Sequence, residues 1–164
     1  MTAPPTIGRL QVERQLGSGG FATVWLARDT ELDSLVAVKI LAENWGAHED
    51  IRRRFLDEAR LLRRVDSDHL VRVYDIGALA DGRPYFVMTY ADGGSLAERL
   101  ETSPAPWPAH TVADLVDALA EGLTVLHQHN VIHRDIKPRN VPVSYTHLRA
   151  HETDSYLVCR LLLE

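Results

Sequence analysis

Apolar and polar residues alternate along the first third of the chain in three short runs. The runs are RLQVERQL, TVWLARD and LVAVKIL, and glycine or the polar turn DTELDS separates them. A period of two places the apolar side chains on one face of a strand, and short polar connections join neighbouring strands into hairpins. The pattern therefore predicts an antiparallel meander of three strands.

The spacing of apolar residues then becomes helical. In EDIRRRFLDEARLLRRV, the residues Ile51, Phe55 and Leu62 recur at helical intervals with charged residues between them. Two further strand-like runs, HLVRVYDIG and PYFVMTYA, follow with the turn sequence ADGR between them. The expected order is three strands, one helix and two strands.

After ADGG the chain reads as helical. SLAERLE predicts a short helix, SPAPWP a loop, and HTVADLVDALAEGLTVLHQHN a long helix with its leucines, from Leu115 to Leu126, along one stripe. We therefore predict an α+β fold, with a β-rich lobe over residues 1–90 and the start of a helical lobe over residues 91–141. The long helix should expose apolar surface that further helices of a complete lobe would cover.

Composition and charge narrow the class of protein. The 164 residues are 45% hydrophobic and 25% charged, which is the balance of a globular protein. A formal charge of -5 without a basic stripe argues against nucleic acid as the main partner. The single cysteine, Cys159, favours a cytoplasmic setting, and neither an export signal nor a run of 18 apolar residues is present. A longer gene product could still carry a membrane anchor outside this portion.

LGSGGFATVW, residues 16–25, places a glycine-rich turn between the first two strands. Small residues in such a turn let backbone N–H groups approach phosphate oxygens. A tight hairpin that binds nothing explains the same glycines, because glycine is a common turn residue. This motif alone leaves both interpretations open.

Lys39 and Glu58 form a second candidate pattern. Lys39 ends VAVK in the third strand, where its ammonium could reach bound phosphates if an anion held it in place. Glu58 lies among apolar residues of the helix FLDEARLL, and a partly buried carboxylate is costly unless it is paired. A solvated glutamate beside Arg60 is the alternative.

HRDIKPRN, residues 133–140, follows the long helix closely. Asp135 could orient and deprotonate a hydroxyl, and Lys137 could neutralise charge on a transferred phosphoryl group. Asn140 has a carbonyl oxygen suited to magnesium. These three side chains together predict phosphoryl-transfer chemistry.

Four motifs, namely the glycine-rich turn, VAVK, the helix glutamate and HRDIKPRN, resemble in their order and separations those of the eukaryotic-like (Hanks-type) protein kinases. The phrases GGFATVWLARD, RFLDEARLL and VMTYADGGSL are similar to bacterial members, and the lysine of HRDIKPRN is the form found in serine/threonine kinases. The resemblance covers residues 8–141. It implies a complete kinase N-lobe, the first helices of a truncated C-lobe, ATP and Mg2+ as cofactors, protein serine or threonine hydroxyls as substrates, and an N-lobe homodimer as a further association.

The resemblance also implies roles for individual residues. Lys39 would bind the α- and β-phosphates and pair with Glu58. Asp135 would be the catalytic base, with Lys137 beside the transferred phosphoryl group and Asn140 as a magnesium ligand. The expected nucleotide-binding positions are Leu16, Gly17, Ser18, Gly19, Gly20, Phe21, Ala22, Val24, Ala37, Lys39, Met88, Thr89, Tyr90 and Ala91.

Two of these positions depart from the family pattern. Ala22 stands in place of the third glycine of the loop, and Thr89 stands where an acidic residue is common. Alanine is small enough for the loop. The loss of an acidic side chain at Thr89 is tolerable because this segment, the hinge between the two lobes, would contact adenine through backbone atoms. Met88 falls at the gatekeeper position, and His133 and Arg134 would support the catalytic loop.

Residues 142–164 depart from the family altogether. They contain no DFG aspartate and no APE motif, and Pro142 stands where the family has an apolar adenine floor, so we expect the 164-residue chain itself to lack activity. VSYTHLRAHET and LVCRLLLE resemble translated ends of a widely used sequencing adapter, with the reading frame kept at Pro142 and Tyr156. We therefore expect a non-native tail from Pro142. His147 and His151, four residues apart, make only a weak metal motif.

Two other functions stay open at this stage. A pseudokinase or a nucleotide-binding interaction module would share these motifs, and the DFG aspartate is the residue that would discriminate. A β-rich binding domain without a nucleotide would require all four motifs to be accidental. The kinase interpretation is preferred because Lys39, Glu58, Asp135 and Asn140 are all present.

Overall fold

The computed structural model describes residues 6–103, 106–133, 135–144 and the backbone of 155–156. The strands in this part of the chain are β1 Thr6–Ile7, β2 Leu10–Ser18, β3 Ala22–Asp29, β4 Ser34–Leu41, β5 Val73–Ala78, β6 Pro84–Thr89, β7 Val143–Ser144 and β8 Ser155–Tyr156. The helices are α1 Glu49–Arg64, α2 Leu96–Thr102 and α3 Ala109–Gln128, with short 3-10 helices at Glu43–Trp45 and Pro138–Asn140.

The chain forms two compact units. The sheet unit contains residues up to Arg64 together with Arg72–Tyr90, and the helical unit contains Val65–Val71 and the residues from Ala91 onward. The segment Val65–Val71 follows α1 in sequence but packs with the helical unit. Among the described residues, no helix is both long and apolar enough to cross a membrane.

The sheet unit is built on six antiparallel strands in the order β1-β2-β3-β4-β6-β5. The predicted meander is confirmed, because the three alternating runs form β2, β3 and β4, and the two later runs contribute β5 and β6. The two-residue strand β1, at the sheet edge, was not predicted. It is too short to show any periodicity in the sequence.

The register of the central strands separates two kinds of side chain. Trp25 of β3 lies opposite Val38 of β4, and both belong to the main apolar core. Val24 lies opposite Lys39, which in turn lies opposite Phe86 of β6. Because directly opposed residues project from the same face and neighbours from opposite faces, Lys39 emerges from the face away from that core.

Helix α1 buries one stripe of its surface. Phe55, Glu58, Ala59 and Leu62 are buried and recur every three or four residues, which places them on one side of the helix. The ring of Phe55 lies 5.0 Å from that of Phe86. Glu58 is therefore carried on the apolar side of α1 and not on its solvated side.

The helical unit has a smaller core of its own. Leu96 of α2, Ala118 of α3, Val141 and Val143 form its buried cluster. The leucine stripe of α3 is only partly covered: Leu126 is fully buried, and Leu115 and Leu119 are partly buried beside the cluster. The expected exposed apolar surface on this helix is present, at Val112 and Val116.

A left-handed residue ends α3 and sends the chain into the HRD-containing segment. Asn130 has φ of 60°, a conformation that asparagine tolerates better than most residues. Its N–H donates to the carbonyl of His127, and the N–H of Val131 donates to that of Leu126. These bonds satisfy the last carbonyls of the helix.

The first residues of the unusual C-terminal stretch complete the small core. Val143 exchanges backbone hydrogen bonds with Gly93 and Gly94, each 2.8 Å long, and its side chain is fully buried. Strand β7 also pairs with β8. The weak metal motif of His147 and His151 lies outside the described residues, and the hypothesis of a non-native tail stays a prediction.

Candidate active site

Lys39 and Glu58 form a buried ion pair in the sheet unit. Lys39 Nζ lies 2.6 Å from Glu58 Oε1, and the two side chains are 3% and 7% exposed. The solvated-glutamate alternative is therefore wrong. Arg60, the partner in that alternative, instead binds Asp57 at the helix surface, with Nη1 2.9 Å from Oδ1.

Aromatic rings enclose the lysine end of this pair. Nζ of Lys39 lies 5.4 Å from the ring centre of Phe86 and 5.8 Å from that of Phe55. No motif in the sequence indicates that these phenylalanines lie beside the lysine, although strand alternation places Phe86 on the face of Lys39 and helical spacing places Phe55 beside Glu58. The rings keep water from the pair and strengthen its electrostatic interaction.

The energetics of the pair favour a functional role over a purely stabilising one. Removing two charges from water is expensive, and apolar residues of similar volume often stabilise a protein as well or better. Charged groups held in apolar surroundings are common at functional sites. The arrangement fixes one cation on an otherwise apolar sheet face.

The glycine-rich turn joins β2 to β3. Its hairpin is closed by a 2.8 Å hydrogen bond from the N–H of Gly19 to the carbonyl of Ala22. Ser18, Gly19 and Gly20 are exposed, whereas Ala22 is buried opposite Leu41. The methyl group of Ala22 is thus accommodated within the sheet, where it adds no bulk to the exposed turn.

Most of the other expected nucleotide-binding residues lie on strands of the sheet, whereas Phe21, Tyr90 and Ala91 lie outside them. Val24 and Ala37 are buried, and Leu16, Gly17, Phe21, Met88, Thr89, Tyr90 and Ala91 are partly exposed. Ala37 lies opposite Met88 in the β4–β6 pair and is two residues from Lys39. One sheet face therefore presents Val24, Ala37, Lys39 and Met88 together.

Thr89 has a side-chain role that the sequence did not reveal. Its hydroxyl lies 3.1 Å from the Tyr74 hydroxyl, and its backbone N–H donates to the carbonyl of Arg72 at 3.0 Å. These bonds tie the end of β6 to the start of β5. The residue that stands in place of a common acidic side chain thus fixes the strand end.

Asp135, Lys137 and Asn140 are brought together in the helical unit. Asp135 Oδ2 accepts hydrogen bonds from Lys137 Nζ at 2.8 Å and from Asn140 Nδ2 at 2.7 Å. Asn140 Nδ2 also donates to the Asp135 carbonyl at 2.9 Å. The 3-10 helix Pro138–Asn140 turns the chain back so that these residues meet.

The charge state of Asp135 follows from these bonds. The hydrogen bond from Lys137 lowers the pKa of the Asp135 carboxyl, and Asn140 lowers it further against the opposing effect of burial. Burial lowers the pKa of the His133 imidazole, and His133 Nδ1 accepts the N–H of Asp135 at 3.3 Å. At neutral pH, the neutral form of His133 and the ionised form of Asp135 are therefore favoured. Arg134 lies outside the described residues.

The oxygen donors of this loop partly fit a magnesium ion. Because Asn140 donates through Nδ2, its carbonyl oxygen is the atom that faces away from those two bonds, and carboxylate and amide oxygens are the ligands that Mg2+ prefers. No cluster of three or more His, Cys, Asp or Glu side chains able to hold a metal occurs among the described residues. The loop by itself would supply only part of the coordination shell of such an ion.

Sequence comparisons identify similar proteins. The family model described as the protein kinase domain matches residues 10–151. The chain is 40% identical over 147 residues to the serine/threonine-protein kinase pkn2 of Myxococcus xanthus, covering 88% of this chain and 17% of that protein. It is 35% identical over 138 residues to PrkC of Bacillus subtilis, covering 84% and 21%.

A solved structure gives the same picture at the level of the fold. The crystal structure of a double mutant of the Mycobacterium tuberculosis PknI kinase domain matches with a TM-score of 0.77 and 26% identity, covering 98% of this chain and 62% of the PknI chain. The chain thus spans less than a quarter of the two curated relatives and less than two thirds of the solved domain.

Proposed function

Because the chain belongs to the protein kinase family, we propose that it carries the nucleotide site and catalytic loop of an ATP-dependent serine/threonine kinase. The buried Lys39–Glu58 pair, 2.6 Å long, is the observation that carries this proposal. In protein kinases, an ion pair between a strand lysine and a helix glutamate must be in place for phosphoryl transfer. The relatives named above are serine/threonine kinases.

The nucleotide would use the sheet face that presents Lys39. Val24, Ala37 and Met88 supply apolar surface for the adenine ring, and the backbone around Thr89 supplies its hydrogen bonds. Backbone N–H groups of the glycine-rich turn and the ammonium of Lys39 would bind the phosphates. Protein kinases generally use ATP with Mg2+, which neutralises phosphate charge when bound.

Asp135 would position the attacking hydroxyl. Its Oδ2 already accepts two hydrogen bonds, so Oδ1 is the better acceptor for a serine or threonine O–H. The hydroxyl oxygen bonds to the γ-phosphorus as the bond to the β–γ bridging oxygen breaks, and the proton passes to Asp135. A carboxyl with a lowered pKa is a weak base, so this transfer comes late and orientation is its main contribution.

Lys137 would act on the transferred group. Its ammonium lies 2.8 Å from Asp135 Oδ2 and is about half exposed, so it can approach the γ-phosphoryl group while holding the carboxylate in place. Fixed positive charge beside developing negative charge lowers the barrier to transfer.

We further propose that the 164-residue chain by itself does not turn over ATP. It contains no DFG sequence, and Pro142 replaces the apolar adenine floor. A pseudokinase or nucleotide-binding module is the alternative. Phosphorylation by the purified chain that disappears in Asp135→Asn would contradict the proposed lack of turnover.

The kinase proposal is tested on a complete catalytic domain, expressed from the source gene with the reading frame continued past Asn140. Lys39→Met and Asp135→Asn should each abolish transfer of labelled phosphate to a protein substrate. Asp57→Asn is the matched control, because Asp57 is an exposed carboxylate on the surface of α1 that pairs with Arg60 of the same helix. Full activity of both site variants would overturn the proposed roles of Lys39 and Asp135, whereas a parent domain that binds ATP without transferring phosphate would favour the interaction module.

A further inference from the structure

Trp45 makes a contact that the proposed nucleotide site does not explain. It ends the short 3-10 helix between β4 and α1. Its indole N–H donates to the carbonyl of Gly20 at 2.8 Å, and its ring lies 4.9 Å from that of Phe21. An aromatic side chain from outside the glycine-rich turn therefore holds the tip of that turn.

This contact fixes the orientation of two peptide groups. The Gly20 carbonyl points to Trp45, and the Phe21 carbonyl accepts the N–H of Ala42 at 2.8 Å. The described chain has no cis peptide bond, so each N–H points opposite to the carbonyl of its own peptide group. The N–H groups of Phe21 and Ala22 are thereby directed away from the β4–α1 connection.

The segment that carries Trp45 is itself firmly held. The Gly46 carbonyl accepts from Arg52 Nη1 at 3.3 Å, and Arg52 also donates to the Gly82 carbonyl at 2.8 Å. A Cβ atom added at Gly46 would meet the Arg83 side chain at 3.3 Å, which shows how closely the turn is packed. Trp45 thus acts from a fixed support.

Trp45 also extends towards the helix that carries Glu58. Its ring contacts the ring of His48 edge-on, with centres 5.2 Å apart. The His48 carbonyl accepts the N–H groups of Ile51 and Arg52 in the first turn of α1. A continuous series of contacts therefore runs from the glycine-rich turn to the start of α1.

We infer that Trp45 is a positioning residue that preorganises the glycine-rich turn for the phosphates of ATP. The inference rests on the proposed function and adds a residue that holds the turn before the ligand arrives. Exposed glycines lose much conformational freedom when they are ordered, and a turn ordered in advance binds more tightly. If the Trp45 ring served only in packing, its loss would instead weaken the binding of every ligand of the sheet face equally, with or without phosphates.

Calorimetric titration of the 164-residue chain with ATP and with adenosine separates these two roles. Trp45→Phe keeps a ring against Phe21 but removes the N–H donor. We expect its ATP affinity to fall about threefold to tenfold, the effect of one lost hydrogen bond, with adenosine affinity unchanged. Trp45→His, which retains a ring N–H, should recover part of the ATP affinity. Trp107→Phe in the helical unit is the matched control.

Each outcome decides the inference. Equal losses for ATP and adenosine in Trp45→Phe, or no loss for either, would overturn it while leaving the nucleotide site intact. A parent chain that binds neither compound would overturn the proposed nucleotide site and the role of Trp45 with it. A selective loss for ATP that Trp45→His partly restores would establish the positioning role.

Discussion

Asn140 donates from a single amide nitrogen to both the carboxylate and the backbone carbonyl of Asp135, over 2.7 and 2.9 Å. Asn140 is 4% exposed, so these bonds form away from solvent. The loop between the two residues is thereby closed, and the carboxylate has one orientation before any substrate is present. Preorganisation of this kind reduces what must be ordered during the reaction.

The pKa of Asp135 should respond to its two partners in a definite order. Lys137 makes the largest contribution to lowering it, and Asn140 makes a smaller one. We therefore expect Lys137→Met to raise the pKa of Asp135 more than Asn140→Ala does, measured by carbon-13 NMR titration of the carboxyl group. Arg139→Met, which changes an intervening cation, is the control. The reverse order would contradict the assigned cause.

Loss of the Asp135 charge should destabilise the helical unit in acid. Its folded pKa lies below the ordinary value of 3.8, so the folded state binds fewer protons than the unfolded chain in that range. The stabilisation is complete above about pH 4 and is lost as the pH falls through the folded pKa. Urea unfolding at decreasing pH should show this loss in the parent and less of it in Asp135→Asn.

His133 should make stability depend on pH at a higher range. Burial lowers the pKa of this imidazole below 6.5, against the opposing attraction of Asp135. Below about pH 6.5 the unfolded chain takes up a proton that the folded chain resists, so the free energy of unfolding falls until the folded pKa is passed. His133→Asn should flatten this part of the curve of urea midpoint against pH.

His110→Asn serves as the control for that experiment, because His110 is exposed in the first turn of α3. Its curve should keep the slope of the parent. A His133→Asn curve as steep as that of the parent would assign the pH dependence to other groups.

The Lys39–Glu58 pair should show strong coupling in a double-mutant cycle. Lys39→Met or Glu58→Leu alone leaves a buried charge without its main partner, which costs about 3 to 5 kcal/mol. The double variant buries no charge and should lose much less than the sum of the two single losses. Urea unfolding of the four proteins measures this, and additive losses would show that the two side chains act independently.

The start of α2 offers a test of local stability. Ser95 Oγ accepts the N–H of Glu98, and Glu98 Oε2 accepts the N–H of Ser95 at 2.7 Å, which is a complete capping box. Ser95→Ala should reduce the free energy of unfolding by about 1 kcal/mol. Glu101→Ala, at an exposed position of the same helix, should have a smaller effect. Equal losses in the two variants would show that the capping box does not contribute to stability.

The sequence predicts those features for which the type of a residue, together with its spacing from its neighbours, indicates whether it is buried, exposed or paired. Alternating apolar residues predict the strands, and a glutamate within the apolar stripe of α1 indicates a paired carboxylate, for which Lys39 is the candidate partner. The contact of Trp45 was not predictable in this way. Its partner is a backbone carbonyl 25 residues away, and a carbonyl group is the same whatever side chain its residue carries.

The residues of HRDIKPRN illustrate the same limit. Their residue types suggested phosphoryl transfer, but the closure of Asn140 onto Asp135 depends on the turn at Pro138–Asn140.

Val143 shows a second limit of what the structure reveals about the sequence. Its burial shows that an apolar residue fits this position of the core, and it fits whether or not the surrounding tail is native, because packing depends on the size, shape and polarity of the side chain.

The alternation of side chains between the two faces of β4 determines how the protein responds to an inserted residue. Its even-numbered residues Val36, Val38 and Ile40 belong to the main core, and Lys39 emerges from the other face. Inserting one residue after Val36 would exchange these faces, sending the lysine into the core and a valine out of it. Substitutions along β4 can thus damage stability or the proposed nucleotide binding separately, whereas a single inserted codon would remove both at once.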